Sequence, residues 1–450
     1  MSEMKKLKQE ILTGSARLVA ENKKPFDRVN YMSEYMYLNK AFTFQLANSK
    51  VSEKKLLQNF KKKYQDYREK WTNIYKIYAD KKNFDDTSNL YPPLSIDIET
   101  ASICDLACPH CSREYIITPD KIMNFDFYKK LVDEAAILEV PSIKLNWRGE
   151  PLLNPKLEEF ITYAKKKGIL EVSINTNAVT LTEKRAKNLI ESGLDIIIFS
   201  FDGGSKQTYE KMRPGRFKQN DFDSVYKNIK KFSEIKKEMK AKFPVTKIQM
   251  ILTKDSKNEK ENFFKLFSNI LDDVTVTQYN ERGGSINDLT DNEREKIKNY
   301  LEKNNLDINS PYMVNANGEI SISRKRKPCE QVFQRLMITY NGRVGMCCHD
   351  WGAQHGVGYV NKDAFKNGDK DFLNVKKQIE KNKKGFELLK DAIMPTEFNE
   401  PDHKVETLKE IWCGKELQSV RKKHYENKVD DVGVCKNCTF KDTYNWEKIN

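Results

Sequence analysis

A parallel α/β architecture, with a helical extension before it and a cysteine-bearing α+β region after it, is what this 450-residue chain predicts. Three observations carry that prediction. Between Leu94 and Arg282, apolar strand-like runs alternate with amphipathic segments in six β-α units, a pattern that implies a parallel sheet with right-handed crossovers. Ahead of them lies a long helical stripe. Behind them Gly283-Gly284-Ser285 and Asn287 break the alternation, and six of the nine cysteines follow.

Residues 1–90 read as the helical extension. Between Val51 and Lys82, Leu57, Phe60, Tyr64, Tyr67, Trp71, Ile74 and Tyr78 recur every three or four positions and form one face of a long helix. Its opposite, Lys-rich face predicts a solvated helix docked on the following domain. Tyr91-Pro92-Pro93 ends the extension. Within a domain spanning 91–285, strands are predicted at 95–100, 142–147, 171–176, 195–201, 247–253 and 274–279, and helices at 125–138, 155–167, 182–192, 221–240 and 259–271. Residues 286–328 form a linker with a helix over 291–304, and 329–450 form the last domain. There, 337–346 reads as a hairpin turning on Asn341-Gly342 as a type I′ pair. The polar stretch 362–403 shows no assignable element.

The length suffices for two or three domains. No apolar run reaches the length of a membrane span, and the start, Met1-Ser-Glu-Met-Lys-Lys, lacks the apolar stretch of a signal peptide, so a cytoplasmic protein is expected. Nine cysteines, an odd number clustered as C-x3-C-x2-C and C-x2-C, point to metal ligation in a reducing compartment rather than to disulfides. The net charge of +14 is spread over Lys-rich helix faces, which reads as a solvated surface more than as a nucleic-acid footprint.

Cys104, Cys108 and Cys111 directly follow the first predicted strand. Iron-sulfur clusters are normally held by four cysteines, so a tight triplet with no nearby fourth fits a 4Fe-4S cluster with one iron open to an exogenous ligand. The alternative is a zinc site completed by His110, but His110 lies between two of the ligands and its ring would have to fold back onto the same metal. Further along, Asn146-Trp-Arg-Gly-Glu-Pro-Leu-Leu-Asn154 follows the second strand, Ser173-Ile-Asn-Thr-Asn177 ends the third, and Phe199-Ser-Phe-Asp-Gly203 ends the fourth. In parallel α/β folds ligands bind at these carboxyl ends.

This ordered set resembles the radical S-adenosylmethionine superfamily. The resemblance implies a partial (β/α)6, TIM-like barrel and a cluster whose open iron chelates S-adenosylmethionine for reductive cleavage to a 5′-deoxyadenosyl radical. It assigns the Gly149-Glu150 loop to the methionyl amine, although Arg148 stands where the family's GGEP motif has its first glycine. Glu150 can accept a charge-assisted hydrogen bond from an ammonium, and Gly149 permits close backbone approach. The same resemblance implies that Asn175, Thr176, Ser200 and Asp202 line the ribose and methionyl carboxylate, with Arg213 in Lys211-Met-Arg-Pro-Gly215 as a carboxylate partner. Each could otherwise be strand-end capping or turn chemistry.

Cys329, the Cys347-Cys348 pair, Cys435 and Cys438 supply thiolates for a second, closed site. A four-cysteine zinc ribbon uses the same residues at similar spacing. Residues 329–438 resemble the SPASM/twitch extension of radical S-adenosylmethionine enzymes, which implies one auxiliary 4Fe-4S cluster on Cys329, Cys347, Cys435 and Cys438. Cys347 and Cys348, read as adjacent strand residues, point to opposite faces, so one of them ligates. Cys413 is expected to pack as a small hydrophobe.

The resemblance supports two reactions. In one, hydrogen abstraction from a carbinol carbon of a sugar, aminocyclitol or nucleotide-linked sugar is followed by oxidation to a ketone through the auxiliary cluster. In the other, Cys348 or Cys413 returns a hydrogen atom from the opposite face and yields an epimer. Peptide modification is a further alternative. A flavodoxin or ferredoxin-type reductant is implied. The non-enzyme alternative is a zinc-stabilised, basic nucleic-acid-binding protein.

Overall fold

The structure, a computed structural model, describes residues 26–278, 329–365 and 401–438 with short gaps, together with strands at 7–12, 15–20, 312–314, 320–323 and 446–449. Most of 279–311 and all of 366–400 lie outside the described residues, and with them the glycine break at 283–285 and nearly all of the expected helix over 291–304.

Fourteen strands are described. They are β1 (Leu7–Leu12), β2 (Ser15–Ala20), β3 (Ser95–Ile98), β4 (Ser142–Lys144), β5 (Glu171–Thr176), β6 (Ile196–Ser200), β7 (Val245–Leu252), β8 (Asp273–Gln278), β9 (Tyr312–Val314), β10 (Ile320–Ser323), β11 (Arg335–Ile338), β12 (Arg343–Gly345), β13 (Gly356–Tyr359) and β14 (Trp446–Ile449). From β3 to β8 each strand pairs parallel with the next in sequence, the singly wound order of a partial (β/α)6 barrel. The connecting helices are α4 (Phe125–Ile137), α5 (Leu157–Lys166), α6 (Glu183–Ser192), α7 (Lys206–Met212) with α8 (Phe222–Glu238), and α9 (Lys260–Phe267). Side-chain caps start several of them: Asn124, Thr182 and Asp221 accept from the backbone of Phe127, Arg185 and Ser224. The strand interiors are Ile and Val facing buried helix residues such as Leu131, Phe160, Leu189 and Phe232.

Both edges of this sheet are covered. β11 pairs parallel with β3, from Arg335 opposite Ser95 to Ile338 opposite Ile98, and carries β12 and β13 with it. At the other edge β2 pairs antiparallel with β8, and β1 with β2. An unpaired edge strand templates association, so each terminal region closes one. β14, β10 and β9 form a separate sheet.

The extension over 1–90 therefore opens on a hairpin, which corrects the all-helical expectation. Two six-residue strands joined by two residues, with Leu12 opposite Ser15, meet hairpin geometry, whereas runs so short give a weak helical signal. Its helices are α1 (Arg28–Glu34), α2 (Lys40–Leu46) and the long α3 (Glu53–Ile77). The expected stripe faces inward, with Phe60, Tyr64, Tyr67 and Ile74 buried. These helices seal the end of the barrel where the strands begin. Glu171, the first residue of β5, pairs with Arg28 and accepts from Tyr64 Oη at 2.9 Å and Tyr67 Oη at 3.3 Å. Asp195, just before β6, pairs with the buried Lys165 at 2.7 Å and accepts from Asn39 Nδ2 at 2.7 Å.

The 339–343 turn also differs from expectation. Gly342 N donates to Thr339 O at 3.0 Å, which makes Tyr340 and Asn341 the central residues, and only Gly342 takes a positive φ, +105°. That is a three-residue loop with glycine at its bulge position. The Thr339 hydroxyl decides it, accepting from Arg343 N at 2.9 Å and reaching Asn341 Oδ1 at 2.7 Å.

Candidate active site

The loop after β3 carries Cys108 buried, with Cys104 and Cys111 half-buried. Cys111 N donates to Cys108 O at 2.9 Å, and the loop is clasped by the segment after α7: Ala107 N to Pro214 O at 2.9 Å and Arg216 N to Asp105 O at 2.8 Å. Burial pushes the Cys104 thiol well up, and the Glu150 carboxylate adds to it. A coordinated metal reverses such a shift, because a ligating thiol is deprotonated outright. His110 Nε2 stands 3.3 Å from Asp202 Oδ2, which engages that ring nitrogen with a carboxylate rather than with a metal.

The loop after β4 lies directly on the cysteine loop. Gly149 has φ +69°, an added Cβ there would run into the Ala101 carbonyl, and Glu150 N donates to Ile103 O at 2.8 Å. Only glycine fits this position. The buried Glu150 carboxylate accepts from Leu152 N at 2.9 Å, Thr176 Oγ1 at 2.7 Å and Asn177 N at 2.7 Å. Burial, and then Asp105, push it up to about 7 against those donors. A cation is the partner that this carboxylate lacks.

Arg148 makes a buried, two-pronged ion pair with Glu99, Nε to Oε1 at 2.5 Å and Nη2 to Oε2 at 2.8 Å. Glu99 Oε2 also accepts from Tyr340 N at 3.0 Å. The arginine at the expected glycine position thus ties this loop to β3 and to the turn after β11.

Around the mouth, Asn175 N donates to Asn146 Oδ1 at 2.7 Å and Asn177 Nδ2 to Asp105 Oδ1 at 2.7 Å. The Thr176 hydroxyl is engaged with Glu150, and Ser200, half-buried, ends β6. Asp202 is fully buried: Oδ1 accepts from Ile251 N at 2.7 Å, and Oδ2 lies 2.7 Å from Arg213 Nη2. Burial pushes its carboxyl up, but Arg213 and His110 outweigh that and hold it at about 2. Asp105 Oδ2, Asn175 Oδ1 and Arg213 Nε are among the buried atoms that keep no hydrogen-bond partner within the described residues. An acceptor pair and a guanidinium N–H suit a ligand bearing an ammonium, hydroxyls and a carboxylate, so the residues fit S-adenosylmethionine on a cluster held by the three thiols.

The second cysteine group gathers at the seam. Cys329, Cys347, Cys435 and Cys438 are all buried. Burial pushes the Cys347 thiol well up, with Cys348, Asp350, Cys435 and Cys438 adding to it; Cys329 is pushed up by burial, Glu330, Cys438 and Cys435. Four thiols this close and this dry fit a soft metal centre. Among the described residues no three His, Cys, Asp or Glu side chains are grouped to hold a single ion; the thiolates of a four-iron cluster need not converge on one point. Cys347 and Cys348 lie in a turn after β12, not in a strand, and pack in different clusters, Cys347 in the main core and Cys348 outside it. The half-buried Cys348 packs against Trp147, Met337 and Ala353, with Sγ 3.4 Å from Gln331 Oε1, and Trp147 Nε1 donates to Cys348 O at 3.3 Å. Cys413 ends the helix Leu408–Cys413, which packs on α4 and β13 in the outer layer.

Sequence reasoning missed Glu99, Asp105, Asn177 and His424. Glu99 alone left a signal, an acid directly after the first parallel strand and five residues before Cys104. The partners of the rest are distant in sequence.

Residues 98–267 match the sequence model of the radical SAM superfamily. The chain is 35% identical over 133 residues to a probable GTP 3′,8-cyclase of Methanococcus maripaludis, covering 29% of this chain and 43% of that protein. It is 31% identical over 106 residues to the tungsten-containing aldehyde ferredoxin oxidoreductase cofactor-modifying protein of Pyrococcus furiosus, covering 23% and 30%. The matches thus span less than half of these relatives. Two solved structures overlap more of the chain at lower identity: BtrN in complex with AdoMet and 2-DOIA (17% identity, TM-score 0.40, 76% of this chain, 92% of that one), and Streptococcus suis SuiB bound to precursor peptide SuiA (15%, 0.44, 82%, 87%). Likeness at that level carries no argument about function. The sequence match runs from the end of β3 to the end of α9 and takes in the cysteine triplet, the Glu150 loop and the β5 and β6 ends, so that residues 98–267 form a radical SAM domain.

Proposed function

We propose that the chain is a radical S-adenosylmethionine oxidoreductase that takes a hydrogen atom from a carbinol carbon of a sugar, aminocyclitol or nucleotide-linked sugar and leaves a ketone. The observation that carries this reading is the seam: a second group of buried thiols is joined to the cofactor loop through Trp147, three residues before Glu150, and through Arg148, Glu99 and Tyr340. Bound at Cys104, Cys108 and Cys111, a 4Fe-4S cluster with an open iron supplies the reductive cleavage of S-adenosylmethionine to methionine and a 5′-deoxyadenosyl radical. Glu150 accepts the methionyl ammonium, held in place by Thr176 and the Asn177 backbone. Arg213 turns its Nε toward the carboxylate, and Asn175 and Ser200 line the ribose. Asp202 orients Arg213 and His110.

Oxidising an alcohol removes two electrons and two protons. Hydrogen-atom abstraction takes one of each, a base takes the hydroxyl proton, and the second electron needs an acceptor. Cys329, Cys347, Cys435 and Cys438 would hold an auxiliary 4Fe-4S cluster as that acceptor. A flavodoxin or ferredoxin-type protein would supply the reducing electron.

A second reading has its own support. Cys348 packs on Trp147, beside the cofactor loop, where a thiol could return a hydrogen atom and give an epimer. Turnover of a candidate sugar in deuterated water separates the two. Dehydrogenation predicts a ketone without stable deuterium at the reacting carbon, and an active Cys348→Ala variant. A product of unchanged oxidation level carrying deuterium there would replace the first reading by the second.

A further inference from the structure

His424 lies in the last turn of the helix Lys415–Tyr425, 3% exposed, between two of the four C-terminal cysteines. Its Nδ1 is 3.3 Å from the backbone nitrogen of Cys329, and its Nε2 is 3.7 Å from Cys435 Sγ. A backbone N–H can only donate, so Nδ1 must be the lone-pair nitrogen, and the proton of the neutral ring sits on Nε2. That proton faces the Cys435 sulfur. A ligating thiolate has no proton of its own and can only accept.

The ring is fixed before any metal arrives. One turn earlier on the same helix, the fully buried Arg421 donates through Nε to Val332 O at 3.0 Å and through Nη1 to Trp412 O at 2.8 Å, and its guanidinium lies over the Trp412 ring at 4.0 Å. Tyr425 packs edge-on against Phe333 at 5.6 Å. The helix is thereby locked to the segment 329–334, which begins with Cys329, and the imidazole bridges two cysteines 106 positions apart in the chain.

We infer that His424 is a positioning residue that sets the reduction potential of the auxiliary cluster through an Nε2–H···S hydrogen bond to Cys435, while its Nδ1 holds the backbone of Cys329; the inference rests on the proposed reading of the four thiols as a cluster site. Hydrogen bonds to ligand sulfurs are among the levers that set cluster potentials. Reduction puts more negative charge on the sulfurs, so a donor stabilises the reduced state more than the oxidised one and raises the potential. An acceptor of the second electron needs that direction of tuning.

The test isolates this cluster in the full chain bearing Cys104→Ala, Cys108→Ala and Cys111→Ala, reconstituted anaerobically. Iron, sulfide and zinc are assayed, and the midpoint potential is read by redox titration followed by electron paramagnetic resonance. In this background His424→Phe is expected to keep its iron and to lower the redox equilibrium constant about tenfold, about 59 mV for a one-electron couple. His424→Gln, which restores an N–H donor, is expected to return most of that shift. If His424→Phe loses iron, a His424→Gln protein that keeps its iron and a near-parental potential supports the inference. Equal potentials in all three proteins overturn it, and so does loss of iron from both variants, which would make His424 a ligand or a folding requirement. Zinc in place of iron in the parent would overturn the auxiliary-cluster reading and, with it, the inference; the metal assay tells that failure from the others.

Discussion

Glu150 shows how far burial and hydrogen bonding can oppose each other at one carboxylate. Three donors hold it in position, yet its pKa is still pushed up to about 7, because it is buried, Asp105 lies nearby and none of the donors is a cation. An arriving ammonium resolves that conflict. Glu150→Ala is therefore expected to weaken S-adenosylmethionine binding by about 1.5–3 kcal/mol, the worth of a charge-assisted hydrogen bond, while leaving iron content unchanged. Calorimetric titration of the reconstituted protein measures it; equal affinity would detach the amine-binding role from this loop. Glu150 and Gly149 stood out in the sequence because the geometry that sets them apart is local, a glycine at φ +69° beside an acid after a strand. Arg148 looked like a simple departure. Its meaning lies in Glu99, 49 positions earlier, and in Tyr340, far later. Asp202 and Arg213 were each read singly, and the pairing of the two that the fold makes was not anticipated.

At the scale of elements, the six parallel strands and their five main connecting helices were legible to within a few residues, since both periodicities are strong and three of the helices start on side-chain caps. What escaped was whatever depended on a partner: the hairpin β1–β2, which gains its meaning from the free edge of β8, and the turn at 339–343, where a threonine hydroxyl overrides the Asn-Gly preference. The helical extension was legible as a docked stripe, but not what it covers. Burial pushes the Glu171 carboxyl up, and Arg28 and Arg68 outweigh that and hold it below its ordinary value of 4.5. A depressed folded pKa contributes stability above 4.5 that disappears as pH falls through the lowered value. Arg28→Ala is thus expected to cost about 1–3 kcal/mol at pH 7, less than a fully buried pair because Arg28 is 34% exposed, and progressively less toward pH 3. Urea denaturation at several pH values measures it. An equal cost at every pH would show that the arginine acts by packing alone.

At the scale of the molecule, the terminal regions do different work on one sheet. The amino-terminal helices close the end where the strands begin, around Glu171 and Asp195, and the carboxy-terminal strands extend the sheet beside β3, so that the turn carrying Cys347 and Cys348 meets the loop after β4 through Trp147. Among the described residues no helix is long and apolar enough to cross a membrane. The central claim is that two four-iron clusters share this mouth and that one of them, on Cys104, Cys108 and Cys111, cleaves S-adenosylmethionine. Its most direct test compares the wild-type chain with the variant carrying Cys104→Ala, Cys108→Ala and Cys111→Ala, after anaerobic reconstitution, for iron, sulfide and 5′-deoxyadenosine released under reduction. The account predicts about eight irons in the wild type and about four in the variant, with 5′-deoxyadenosine formed only by the wild type; a variant that still forms 5′-deoxyadenosine, or that keeps all of the wild type's iron, would contradict it.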